Sequence, residues 1–228
     1  MVVWPIKGFV MRDLNEIQKY VNTVVLPRYK SNDDAHNVEH VKYVIKRSLK
    51  FSRRYNCDAC IVYVAAAYHD IGHSINPDNH EKVSAEIFEE DTQIKKWFSK
   101  NEINLISEAI QDHRASDKQP PRSIYGEIIS SADRTINVVL AIKRSVRYNM
   151  HHFGRENQEL IVSNVYSYIL NKYGETGYSK TYVEDKQYYK FHQNMIFLSK
   201  HPVFLKLLIK MVFIKILYIE NNIKSFNG

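Results

Sequence analysis

The chain has 228 residues, a length that fits one domain or one domain with an appendage and that can bury a core without disulfides. Seven Gly and six Pro are few turn formers for that length, which argues against a strand-and-turn fold and for long helices. The formal charge of +7 suits an anionic partner, but no dense basic block and no basic stripe interleaved with aromatics favours nucleic acid.

Residues 1–30 read as a lead-in. Residues 1–6 lack the basic start and apolar stretch of a secretory signal, so a cytoplasmic protein is expected. One helix is expected over 13–20, ended before Pro27. The polar run 31–35 reads as a loop and helix-start signal, because short polar side chains cap exposed amides. From 36 to 55, Val41, Val44, Ile45 and Leu49 recur at helical spacing. The stretch 58–68 is apolar nearly all round, as a central buried helix is, and Gly72 can end it.

After the turn formers of 74–79, His80 opens a helix. Ser99 and Glu102 match a capping box before Ile103, Ile106 and Ile110. A connector at 117–123 precedes a helix expected to run from about Ile124 to Tyr148 with Asp133 inside it. Three more helices are expected over 155–224, divided near 173–178 and near Pro202. The last, around 203–219, approaches the length of a membrane span, but lysines interrupt it. A central lysine costs about 2.5–3.5 kcal/mol on insertion scales. It reads as a packing helix, or one that joins two copies of the chain, ahead of an anchor lying on a membrane surface, and with no span. No alternation of strand type stands out. The fold expected is all-α, in three parts: the lead-in 1–30, a core over 31–150 and a C-terminal helical extension over 151–228 packed on the core.

Cys57 and Cys60 are spaced C-x-x-C. A redox pair or half a zinc site needs a second pair or a strand–helix context. Neither is present, and ordinary thiols are expected.

The chemistry lies in His40, His69-Asp70, His80, His113 and Asp133. Neutral imidazoles and carboxylates brought from several helices to one point suit a divalent metal of intermediate softness. An aspartate at the end of an apolar helix is costly to bury unless a cation or hydrogen bonds compensate. Asp70, with two oxygens, can bridge two ions. His36 and His40 are four apart on one helical face, and only one need bind metal.

His40, His69-Asp70 and Asp133, with their helical contexts, resemble the H…HD…D signature of the HD-domain superfamily of metal-dependent phosphohydrolases. The match covers about residues 34–148 and implies an HD-domain-like helical bundle with additional C-terminal helices. His80 and His113 resemble the two extra histidines of the binuclear members. The resemblance to their cyclic-dinucleotide phosphodiesterase group fails at His73, where that group has lysine.

By resemblance, one ion takes His40, His69, Asp70 and Asp133, and a second takes Asp70, His80 and His113; in a one-ion site the last two histidines meet the substrate phosphate instead. Mn, Fe, Co or Ni suit mixed N/O ligation better than Mg. Implied is a phosphomonoesterase or phosphodiesterase acting through metal-activated hydroxide on a nucleotide or other small phosphorylated substrate. Asp70 would hold the nucleophile, His73 would protonate the leaving oxygen, and Arg114, Arg122 and Arg134 would bind the phosphoryl group. The same ligand frame also resembles HD-type di-iron oxygenases and non-catalytic nucleotide-sensing HD modules.

Overall fold

The computed structural model describes residues 12–33 and 35–226, with side chains described to residue 222. The described residues form eleven α-helices and no strand. By internal packing the chain divides into two compact units, Met1–Asp133 and Arg134–Gly228.

In the first unit, Asp13 caps α1 (Leu14–Tyr20), accepting from the Asn15 amide. The chain does not stop before Pro27. It continues through a π-helical turn, Val21–Val25, and a 3-10 segment, Leu26–Ser31, with Pro27 in its first turn. Proline is tolerated there because a first-turn amide has no intrahelical partner to lose. Helix α2 (Val38–Arg54) starts at Asn37, whose side chain accepts from the Glu39 and His40 amides. Asp58 does the same for α3 (Ala59–Tyr68).

Helix α3 is the centre of this unit. Every residue from Ile61 to Tyr68 is buried, and the helix packs against α2, α6 and α7. Burying one large aliphatic side chain contributes about 1.5–3 kcal/mol. The alanines at 65–67 leave room for close neighbours on all sides. Its C-terminal end is pinned: the Tyr29 hydroxyl donates to the Ala67 carbonyl at 2.8 Å, and the Tyr68 hydroxyl donates to Asp91 at 2.6 Å.

Helix α4 (His80–Glu90) and the single turn α5 (Thr92–Lys95) lead to α6 (Lys100–Gln111), which carries the capping box read from the sequence, Ser99 with Glu102. Helix α7 (Ile124–Asp133) ends where the sequence suggested continuity. Residues 134–137 are non-helical, and α8 (Val138–Phe153) begins anew with Asn137 accepting from the Leu140 amide at 2.9 Å. The break has a local cause. Asn137 offers the backbone a cap in place of a fourth helical turn, and Asp133 becomes a helix terminus rather than a mid-helix residue.

The second unit packs α8 with α9 (Gln158–Tyr173), α10 (Lys186–Ser199) and α11 (Pro202–Phe226). Ile142, Val146, Val165, Ile169, Phe191, Met195, Ile209 and Phe213 form its core. Two aromatics of α10 belong to that core: Tyr188, whose hydroxyl donates to the Ser179 carbonyl, and Phe191, while Tyr189 is exposed. Among the described residues, no helix is long and apolar enough to cross a membrane. Cys57 and Cys60 are free thiols, and burial pushes both above the ordinary thiol range, the opposite of an activated thiolate.

Candidate metal centre

Five helices of the first unit deliver six side chains to one place. His40 comes from the first turn of α2, His69 and Asp70 from the end of α3, and His80 from the first residue of α4. His113 follows α6, and Asp133 closes α7. His40, His69, Asp70 and Asp133 each offer a donor atom, all within 4.8 Å of one another, and so do Asp70, His80 and His113. Both groups could hold a metal ion.

Asp70 is common to both groups, and it divides its oxygens. Its Oδ2 lies 3.3 Å from His40 Nε2 and 3.1 Å from His69 Nε2, while its Oδ1 lies 3.4 Å from His80 Nε2 and 3.3 Å from His113 Nε2. Asp133 Oδ1 adds a donor to the first group, 3.0 Å from His40 Nε2. Two ligands on one ion at about 2.1 Å sit about 3.0–3.4 Å apart, depending on coordination geometry. The observed separations are of that size.

The imidazoles are aimed by their backs. Nδ1 of His69 donates to the Ala66 carbonyl at 2.8 Å, Nδ1 of His80 to the Pro77 carbonyl at 2.9 Å, and Nδ1 of His113 to the Ile110 carbonyl at 2.6 Å. A carbonyl only accepts, so in each ring Nδ1 carries a proton and Nε2 is the atom turned inward. Nε2 of His80 and Nε2 of His113 lie 3.1 Å apart, so with both rings neutral two lone pairs would face one another. Neutral rings repel in that arrangement, and a cation between them removes the repulsion.

The electrostatics agree. Burial pushes the Asp70 carboxyl up, but the charge of His69 and hydrogen bonds from His113, His40 and His69 outweigh it and hold it well below the usual carboxylate range. Asp133 is held down in the same way, chiefly by His40. Burial lowers His40, yet its bonds to Asp133 and Asp70 prevail and raise it to about 9. His80, desolvated and next to His113, falls to about 4. The pocket is closed at His69, which has no exposure, and open at Asp133, whose side chain is 23% exposed.

The surrounding residues fix this frame. Asn32 Nδ2 donates to the Asp70 carbonyl at 2.9 Å and to the His36 carbonyl at 3.0 Å, while its Oδ1 accepts from the Ser74 amide. Gly72 donates to Ser84 Oγ at 3.0 Å, so α4 lies against the turn after Asp70. Arg47, buried in α2, donates to the Ala132 carbonyl at 2.7 Å beside Asp133. Sequence reasoning took Asn32 only as part of the loop 31–35 and gave Arg47 no role.

The other expected site residues fall in varied places. His73 stacks on His36 with ring centroids 3.7 Å apart and lies 5.3 Å from the His80 ring. Asp33, His36 and His73 form a third group of convergent donors. Arg114 follows His113 directly and is tied to Glu81 at 3.0 Å, to the Asp78 carbonyl and to Ser116, but its Nη2 has no partner among the described residues. The guanidinium of Arg122 is taken up by Asp112 and Gln111. Arg134 is a buried residue of the second unit and donates from Nε to the Lys180 carbonyl at 3.1 Å.

Among the described residues, this helical unit brings together two histidine–aspartate groups that share one carboxylate and could each hold a metal ion. Residues 37–138 match the model of the HD domain. The chain is also similar to the crystal structure of a predicted HD superfamily hydrolase from an uncultured Thermotogales bacterium. Identity is 22%, the match covers 84% of this chain and 95% of that one, and the TM-score is 0.48. No curated protein matches the chain.

Proposed function

We propose that the six residues form a centre for two divalent ions and that the protein is a metal-dependent phosphohydrolase acting on a small phosphorylated substrate, a nucleotide being the favoured class. The observation that carries this reading is the division of Asp70, one oxygen facing each donor group. The donor set mixes imidazole and carboxylate, which suits Mn, Fe, Co or Ni better than Mg. When bound, such ions activate water near neutral pH and polarise a phosphoryl oxygen.

The chain's own residues supply the rest. Asp70 accepts a hydrogen bond from an attacking water and orients it. Asp133 sits at the open edge, where substrate enters. Arg114, directly after His113, would use its free Nη2 to neutralise charge on the phosphoryl group. Arg122 and Arg134 already have protein partners, which leaves Arg114 the first choice for that role. His73 is lowered by burial and by His36, so its ring is neutral near pH 7. A neutral ring suits taking a proton from water better than giving one to a leaving oxygen.

The test is phosphate release from a nucleotide panel with added Mn, run beside Asp70→Ala and Arg114→Gln. Asp70→Ala should lose its metal and at least about 10³-fold in turnover, and Arg114→Gln about 10²-fold. An Asp70→Ala protein that kept metal and activity would refute the assignment. Oxygen consumption by the iron-loaded protein without phosphate release would replace hydrolysis with oxygenase chemistry.

A further inference from the structure

Helix α11 has two apolar faces, and its own unit covers one. Leu205, Ile209, Phe213 and Ile216 are buried in the core of the second unit. Phe204, Leu207, Met211, Ile214 and Tyr218 are 55–69% exposed. At about 100° per residue the second set occupies an arc of about 80°, opposite the first. It makes a strip about 21 Å long at 1.5 Å per residue. A contiguous apolar strip of this kind marks a contact surface rather than scattered exposure.

The spacing of the strip, alternately three and four residues, is also that of a coiled-coil seam, so a second copy of the chain is the first occupant to weigh. The flanks argue against it. The positions bordering the seam are Val203, Lys210 and Leu217 on one side and Leu208, Lys215 and Asn222 on the other. None is acidic. A parallel pairing sets Lys210, which has Glu159 of its own unit at 2.8 Å, against Lys215 of the second copy, and the seam flanks offer Lys215 no acid.

The same flanks suit a negatively charged surface. Lys215 borders the strip on one side; on the other stands Lys210, which pairs with Glu159 of the same unit at 2.8 Å, while Lys206 lies farther round the helix over the Tyr166 ring. The second unit as a whole carries fourteen Lys and Arg against six Asp and Glu, whereas the first carries eighteen against nineteen. The entire positive excess of the chain therefore lies in the unit that bears the strip. An apolar face with large aliphatic and aromatic residues, edged by lysine, is the pattern of a helix lying in the plane of a bilayer interface. We propose that the outward face of α11 docks on an anionic lipid bilayer, with its apolar side chains at the acyl boundary and its lysines among the headgroups.

Sedimentation of the full chain with vesicles tests this. Vesicles of phosphatidylcholine with phosphatidylglycerol should carry the protein down, and phosphatidylcholine alone should bind at least tenfold more weakly. Added salt should release the protein, because headgroup attraction is screened. Leu207→Glu with Ile214→Glu should abolish binding and leave the melting temperature unchanged, since neither side chain joins the core. Lys215→Gln, a change at an exposed position, should weaken binding about fivefold. Equal binding to both vesicle types, or binding to neither, overturns the proposal. So does a dimer in solution that the double variant converts to monomer without any vesicle binding.

Discussion

Asp70 and His40 show how single side chains hold this site in register. His40 rises to about 9 against an ordinary value of 6.5, because burial is outweighed by Asp133 and Asp70. In the metal-free protein it is therefore protonated below about pH 9, and a metal that takes its Nε2 must expel that proton. His80, lowered to about 4, is already neutral at pH 7.5 and has none to give. Metal titration at pH 7.5 should release at least one proton, seen as heat that depends on the buffer's ionisation enthalpy, and the release should vanish above about pH 9. Heat independent of buffer at pH 7.5 would show that His40 is not a ligand. Arg47 makes a different kind of contribution. Its guanidinium is buried against the Tyr43 and Phe51 rings and satisfies the Ala132 carbonyl. Arg47→Ala leaves that carbonyl without this donor, and unfolding in urea should show a loss of about 1–3 kcal/mol.

At the scale of elements, the approach of α4 to the turn after Asp70 depends on a missing side chain. A Cβ on Gly72 would lie 2.8 Å from both the Ser84 amide nitrogen and the Val83 side chain. The Ser84 backbone cannot yield without moving α4. Gly72→Ala should cost about 1–3 kcal/mol by overpacking and should lower metal occupancy of the His80–His113 group before that of the His40–His69 group. Metal content and denaturation of the variant check both. Ser99→Ala removes the α6 cap and should cost about 0.5–2 kcal/mol without affecting metal content. Most helices were legible because apolar spacing and short polar caps act locally: Asp58 and Ser99 cap the helices that follow them. The break after Asp133 was not, because the apolar period on both sides is compatible with one long helix and only the Asn137 side chain decides against it. The six convergent residues were legible because their types and order carry the resemblance. Asn32, Arg47 and the back-bonding carbonyls of Ala66, Pro77 and Ile110 were not, since their roles exist only once helices distant in sequence are packed.

For the whole molecule, the two units divide the chemistry. The first, close to neutral, contains all six convergent residues. The second holds the positive charge and the uncovered face of α11. Because the metal donors come from five helices, a bound ion stabilises the folded first unit and has no equivalent site in the unfolded chain. Free metal at about 100 times its dissociation constant should add about 2.7 kcal/mol of stability, and chelator should remove it. A melting temperature insensitive to chelator would mean that no ion is held by the fold. The account as a whole turns on two ions sharing Asp70. Crystals grown with Mn and measured above the manganese absorption edge should show two anomalous peaks flanking the Asp70 carboxylate, one within reach of His40, His69 and Asp133, the other of His80 and His113. A single peak would reduce the site to one ion, and the absence of any peak at Asp70 would contradict the metal centre itself.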